Sequence, residues 1–295
     1  MNENVKVSVI MPAYNAERFI AKSIESVVNQ TYTNIEFVIV NDGSADSTAD
    51  IIRRYESQYP EKILFVDKDI NEGTAKTLNI AMSYATGEYM CWLSADDLYV
   101  NTMVESSLSF LLEHPEFDAC HSLSVTIDEN DKLLYTEDNS DNYHKTFAKG
   151  DNKEFYMRML LSGNCLHGCS MFGKRDSFLK AGGFDPHYRY AHDYAFWLRM
   201  IADANIGFVN QYNVMGRSHA GQVTRQGKNE IDAIDVYNDL INDDEVFLKL
   251  MVKAGYSDRY KCAREGYINR ILVFREFKEE LTYLAESFGR FLASS

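Results

Sequence analysis

The chain opens with short, nearly continuous apolar runs separated by stretches of helical spacing. Val7-Ser8-Val9-Ile10-Met11 is rich in β-branched side chains and runs into Pro12, which marks the end of a first strand. Residues 17–29 then carry Phe19, Ile20, Ile24, Val27 and Val28 at helical spacing. Ile35 to Val40 has almost no polar interruption, as expected of a strand covered on both faces. Asn41-Asp42-Gly43-Ser44 follows as a turn, and Asp46 or Ser47 can cap a second helix through Tyr55. The pattern predicts a third strand over Ile63 to Val66, a third helix over 74–85 and a fourth strand from Tyr89 to Leu93. Strands alternating with helices in this way predict right-handed βαβ units on a mostly parallel sheet.

Beyond Asp97 the alternation breaks. The spacing predicts a helix near 101–113, ending before Pro115, then strands near 118–126 and 132–136 joined by the turn-like Asp128-Glu129-Asn130-Asp131. Residues 137–152 read as a polar loop. A helix near 153–161, a strand near 168–173 and a helix over 175–181 lead to the turn Gly182-Gly183-Phe184-Asp185-Pro186. Residues 192–203 are helical, with Phe196, Trp197, Met200 and Ile201 on one side, and the pattern from about 229 to 293 is helical and free of Pro.

The composition narrows the chemistry. A length of 295 residues allows one large α/β domain, or a smaller one with an appended module. The net charge of −14, from 30 basic and 44 acidic residues, argues against a nucleic-acid partner and means that a polyphosphate ligand would need a cation to bind. No apolar run is long enough to span a membrane, and Met1 to Lys6 lacks the pattern of a secretory signal. The five cysteines, at 91, 120, 165, 169 and 262, are odd in number and irregularly spaced, so reduced thiols in a cytosol are expected. Cys165-x-His167-x-Cys169 invites a zinc reading, but no second ligand pair follows at zinc-site spacing; small buried thiols flanking a strand are the expectation.

In an open parallel sheet, ligands bind outside the carboxyl ends of the strands. Three such ends are unusually polar: Pro12-Ala13-Tyr14-Asn15, Asn41-Asp42-Gly43-Ser44 and Ser94-Ala95-Asp96-Asp97. Neither a glycine fingerprint after the first strand nor a GxxxxGK[ST] loop is present, which removes the usual dinucleotide and phosphate-loop sites. A tyrosine and carboxylates suit a base and a ribose, and adjacent carboxylates at the fourth strand end suit a hard divalent cation.

These segments, together with Asn71-Glu72-Gly73, Asn79 and Gly87-Glu88-Tyr89, resemble the successive signatures of family-2 glycosyltransferases, inverting enzymes that use nucleotide-sugars. Order and spacing match over about residues 5–115, with weaker matches to about 225. The resemblance implies an α/β GT-A fold over residues 1–225, a Rossmann-like, mostly parallel nucleotide-binding sheet flanked by helices. Its nucleotide-sugar half spans about 1–115 and its acceptor half about 116–225, with a helical C-terminal extension over 226–295.

The resemblance also implies roles. Pro12, Ala13, Tyr14 and Asn15 fall on the donor side, with Tyr14 against the nucleobase and Asp42 on the uracil ring, which favours a UDP-sugar. Asn71 and Gly73 shape the loop near the diphosphate. Leu78 stands where the family often has Arg, so Lys76 is the neighbouring basic substitute. The family's acidic motif begins here with Ser94, followed by Ala95; Asp96 keeps the position that binds Mg²⁺ or Mn²⁺, and Asp97 is either part of that site or the cap of the next helix. Asp193 matches the general base, with His192 in place of the family's glutamate before it, and His219 matches the histidine that completes the metal-diphosphate site. His167 and His192 fall on the acceptor side. The acceptor would be a glycan, a lipid-linked glycan or a protein side chain, in polysaccharide, glycolipid or glycoprotein synthesis. Packing on the catalytic domain is expected of the C-terminal helices, with a homodimer or peripheral contact with an anionic membrane face as alternatives.

Overall fold

The computed structural model describes residues 5–136, 152–161, 163, 164, 166–222 and 229–266. All of the loop predicted over 137–152 except Asn152, the predicted tail beyond 266, and Cys165 lie outside these residues. Strand β1 (Val7–Ala13) pairs in parallel with β2 (Ile35–Asp42), from Val7 opposite Ile35 to Ala13 opposite Asn41. Strand β3 (Ile63–Lys68) pairs in parallel with β2, and β4 (Tyr89–Trp92) with the other edge of β1. Val7 through Met11 are each no more than 1% exposed, so β1 is covered on both faces, which its near-continuous apolar run requires. Pro12 lies inside β1 rather than after it. The ladder to β4 stops at Ile10 opposite Trp92, and Leu93 N–H closes it on the Ile10 carbonyl, so the missing N–H of Pro12 forfeits no sheet bond on that side.

Helices α1 (Ile20–Val28), α2 (Thr48–Gln58) and α3 (Thr74–Tyr84) follow the first three strands. Asp46, not Ser47, caps α2: its Oδ1 accepts Thr48 N–H at 3.0 Å. The second half adds β5 (Leu98–Tyr99), α4 (Met103–Glu113), β6 (Ala119–Ile127), β7 (Leu133–Thr136), α5 (Lys153–Leu161), a 3₁₀ turn at Gly168–Ser170, β8 (Phe172–Lys174), α6 (Arg175–Lys180), α7 (His192–Asp203), β9 (Ile206–Arg217), α8 (Asn229–Asn242) and α9 (Asp244–Ala254). Residues 259–266 are again helical. Among the described residues the strands form one sheet in the order β3-β2-β1-β4-β8-β6-β9-β5, with β7 beside β6. The sheet is parallel through its first four strands and mixed beyond them, because β8 enters antiparallel to β4 and to β6.

Two strands differ from the sequence pattern. Residues 168–170 form a tight turn rather than strand, closed by Ser170 N–H on the His167 carbonyl at 2.8 Å. β9 escapes prediction because Asn210 and Gln211 bulge out and are exposed; the register with β6 jumps from Ser122–Val209 to Leu123–Tyr212, and the alternation breaks there. Asp97 is no helix cap, since α4 starts at Met103 with Thr102 at its N-cap.

At the end of the sheet away from the polar strand ends, Glu36 gathers Lys6, the Ser8 hydroxyl and the backbone N–H groups of Thr86 and Gly87. Burial opposes its charge, but these hydrogen bonds win and lower its pKa from 4.5 to about 2. The stabilisation is therefore complete above 4.5 and is lost as pH falls from 4.5 toward about 2. Glu36→Gln is expected to lose about 2 kcal/mol at neutral pH. Urea unfolding of both proteins should show this gap narrowing as the pH is lowered through that window.

Candidate active site

The carboxyl ends of β1, β2 and β4 open into one cleft of about 1050 Å³. Asn15 ties the first two ends together: its N–H donates to Ser44 Oγ at 2.9 Å and its Oδ1 accepts Ala45 N–H at 2.9 Å. Pro12, Ala13, Tyr14 and Asn15 line the cleft, and the Tyr14 ring is half exposed over it. Asp42 lies at its edge, 3% exposed. It accepts the backbone N–H groups of Glu72 and Gly73, both at 2.9 Å, and pairs with Lys68 at 2.5 Å. Burial raises the cost of its charge, yet the Glu72 N–H, Lys68 and the Gly73 N–H together hold its pKa below the usual value. The carboxylate thus fastens the Asn71–Gly73 loop to the strand end. Gly43, at φ +65°, lets that loop approach: a Cβ there would sit 2.6 Å from the Ile70 carbonyl carbon. Asn71 and Gly73 line the cleft, but Lys76 does not; its ammonium is half exposed and faces Glu72 at 3.3 Å, one turn back on α3.

At the end of β4, adjacent carboxylates take opposite roles. Asp96 faces the cleft, and its Oδ2 lies 3.0 Å from His219 Nε2. Asp97 is 5% exposed and turns inward, where its Oδ1 accepts the backbone N–H of Arg217 at 2.8 Å. Burial, and then the charge of Asp96, push the Asp97 pKa up to about 6. Arg217 has no exposed side-chain surface. Its Nε donates to the Asp96 carbonyl at 2.8 Å, and its Nη1 donates to the Asp128 carbonyl at 2.9 Å and pairs with Asp131 at 2.6 Å. The guanidinium also lies 4.9 Å from the centre of the Phe19 ring, which packs at 4.8 Å against His219. Two bonds between residues 96–97 and Arg217 therefore hold His219 opposite Asp96. Ser94 lines the cleft beside Ala95, and its N–H donates to Cys169 Sγ at 3.3 Å.

The remaining wall comes from the second half of the chain. Asp193 sits in the first turn of α7, whose N-cap, Ala191, offers no side-chain cap. Its Oδ1 accepts Tyr194 N–H at 2.8 Å and its Oδ2 accepts Asn164 Nδ2 at 3.0 Å. His192 is buried against the Phe184 ring, and burial lowers its pKa although Asp193 pulls the other way. His167 lies in the same wall, close over Gly216, where a Cβ would meet its Nε2 at 2.5 Å. Helix α8 closes the wall with Ala233 and Ile234, and its Asp232 accepts the Tyr190 N–H at 2.5 Å. The sequence pattern predicts a helix where α8 stands but not its place in the wall, and Arg217 and Asn164 are not singled out because each acts through residues far away in the chain.

Two groups of side chains could hold a cation. Asp96 and His219 offer an oxygen and a nitrogen 3.0 Å apart, close to the spacing of adjacent ligands about 2.1 Å from an octahedral ion. The pair thus fits a hard divalent cation that completes its shell with phosphate and water. Asp97, His167 and Cys169 form a second group, with ligand atoms all within 4.8 Å of one another.

A sheet that is parallel through its first half and mixed beyond it, with a cleft at its parallel strand ends, is similar to the GT-A fold of glycosyltransferases. The model of the family described as Glycosyl transferase family 2 matches residues 8–182. The uncharacterized glycosyltransferase RP339 of Rickettsia prowazekii is 32% identical over 248 residues, 84% of this chain and 73% of that protein. The putative glycosyltransferase EpsE of Bacillus subtilis is 36% identical over 129 residues, 44% of this chain and 46% of its own. This chain belongs to glycosyl transferase family 2. Its fold is similar to that of S. aureus TarS 1-349 in complex with UDP-GlcNAc, with a TM-score of 0.62 at 19% identity over 86% of this chain and 72% of that one. It is also similar to the mannosyltransferase PcManGT from Pyrobaculum calidifontis in complex with GDP-Man and Mn²⁺, with a TM-score of 0.64 at 18% identity over 90% and 74% of the two chains. Among the described residues no helix is long and apolar enough to cross a membrane.

Replacing Arg217 with Met takes the buried cation from Asp131, leaving it Lys22 alone, and removes a donor from the Asp96 and Asp128 carbonyls, at a cost of about 3 kcal/mol. Lys22→Ala removes only the exposed partner of Asp131 and is expected to cost under about 0.5 kcal/mol. Urea midpoints of the two variants, read side by side, check this difference.

Proposed function

We propose that the chain transfers a sugar from a nucleotide-sugar, of the UDP class, to an acceptor hydroxyl with inversion at the anomeric carbon. The observation that carries this reading is the convergence of Asp193 and the Asp96–His219 pair on one cleft. Residues about 1–115 serve as the donor half, with the base and ribose beside Tyr14, Asp42 and Ser94. Residues about 116–225 form the acceptor half, to which α8 adds its face. Asp96 and His219 would hold Mg²⁺ or Mn²⁺, which supplies positive charge beside the departing diphosphate. The bound Mn²⁺ and GDP-Man of PcManGT, and the bound UDP-GlcNAc of TarS, support a nucleotide-sugar and a divalent ion here.

Asp193 takes the proton of the acceptor hydroxyl as its oxygen attacks C1 in line with the leaving nucleoside diphosphate. Asn164 holds one carboxylate oxygen and Tyr194 N–H the other, which fixes the direction of the free lone pairs. His192 and His167 stand beside it on the acceptor side. The acceptor is a glycan end, a lipid-linked glycan or a protein side chain.

Asp193→Asn keeps the shape and removes the base, so turnover should fall by about 10²-fold or more while the donor still binds. Single-turnover transfer to an acceptor, run beside nucleotide-sugar binding by calorimetry, tests this; near-normal turnover would sink the assignment. Asp96→Ala should abolish the gain in donor affinity that Mn²⁺ confers, and a gain retained in the variant, or wild-type donor affinity that is equal with and without EDTA, would count against its role. A thermal-shift panel of UDP- and GDP-sugars identifies the base and the sugar.

A further inference from the structure

We propose that Asp97, His167 and Cys169 form a second cation site, for a thiophilic divalent ion of the zinc class, on the floor of the cleft and separate from the Asp96–His219 pair. Asp97 Oδ2 lies 3.5 Å from Cys169 Sγ and 3.9 Å from His167 Nε2. A tetrahedral zinc ion with bonds of about 2.3 Å to sulfur and about 2.0 Å to nitrogen and oxygen holds its S and O ligands about 3.5 Å apart, and its N and O ligands about 3.3 Å apart. The first separation is met as it stands, and the second needs about half an ångström of movement in a partly exposed imidazole.

The surroundings prepare each ligand. Arg217 N–H occupies Oδ1 of Asp97 and so leaves Oδ2 for the site. Ser94 N–H donates to Cys169 Sγ at 3.3 Å, which favours a thiolate, while burial and the charge of Asp97 hold the thiol pKa well above its usual value until a cation takes the place of its proton. Gly216 supplies the space in which His167 sits, since a Cβ there would collide with Nε2. Binding releases the Cys169 thiol proton to solvent and transfers the His167 ring proton from Nε2 to Nδ1. That transfer gives up the 3.4 Å contact in which Nδ1 accepts Cys169 N–H, a weak bond beside three ligand bonds. All three residues line the cleft, so the fourth ligand is water or a substrate oxygen.

The donor set separates the two sites. An oxygen and an imidazole suit Mg²⁺ or Mn²⁺, whereas a thiolate selects softer ions. The ion would join the end of β4 to the turn at Gly168–Ser170, and it does so whether or not the cleft takes a nucleotide-sugar. The sequence spacing of His167 and Cys169 hid this third ligand, because Asp97 lies far upstream.

Cobalt(II) is the probe, because a thiolate ligand gives it a near-ultraviolet charge-transfer band that oxygen and nitrogen ligands do not. Titration of EDTA-stripped full-length protein should produce this band, saturating at one equivalent and surviving a hundredfold excess of Mg²⁺. Zn²⁺ should bleach it. Cys169→Ser should remove it, His167→Asn should weaken Co²⁺ binding at least tenfold, and Cys91→Ser and Asp96→Asn should leave it in place. Thermal unfolding confirms that each variant is folded. Absence of the band in the wild-type protein, its persistence in folded Cys169→Ser, or its displacement by Mg²⁺ would each overturn the proposal.

Discussion

A guanidinium with no exposed surface needs its charge answered inside the protein, and the site of this glycosyltransferase is built around Arg217. Its charge meets Asp131, and its Nε and Nη1 find carbonyl acceptors, while Nη2 has none among the described residues. Arg217 joins the end of β9 to the acidic run after β4, to the turn between β6 and β7, and to Phe19 just ahead of α1. Asp97 answers the same residue's backbone. These elements come from four separate parts of the chain. Their convergence leaves Asp96 and His219 facing each other, and a looser side chain at 217 could not specify that spacing.

The neighbouring acids divide their work because the turn between β4 and β5, closed by Asp97 N–H on the Ser94 carbonyl, sends one side chain to the cleft and the next to the interior. Asp96 keeps water and ligand within reach, while Asp97 faces the interior and serves geometry. In a chain of net charge −14, a polyphosphate would meet a repelling surface unless such carboxylates were spent on a cation or on internal partners. Asp42 and Asp131 follow the second course, paired with Lys68 and Arg217.

The parallel half of the sheet was legible in the sequence because β1 and β2 are covered on both faces and read as near-continuous apolar runs, and the edge strand β3 keeps a short one over Ile63 to Val66. The strand-end residues were legible for a related reason: polar side chains directly after such runs have nowhere to go but a cleft. The second half was harder. β9 hides its alternation behind the bulge at Asn210–Gln211, and β5 is too short to show a period. Lys76 read as a donor contact because position along α3 does not reveal that Glu72, one turn earlier, already claims it. The buried state of Asp97 depends on Arg217 and Cys169, both remote in sequence, so spacing alone left it between ligand and cap.

Helix α8 belongs to the last quarter of the chain, yet it holds the loop before Asp193 through Asp232 and lays Ala233 and Ile234 along the cleft. During synthesis the parallel strands and their loops can fold as soon as they leave the ribosome, since each pairs with a neighbour already made. The far wall cannot close until α8 has emerged. A nascent chain can therefore form the part of the cleft at the parallel strand ends early, while the wall that carries Asp193 waits for residues 229–242.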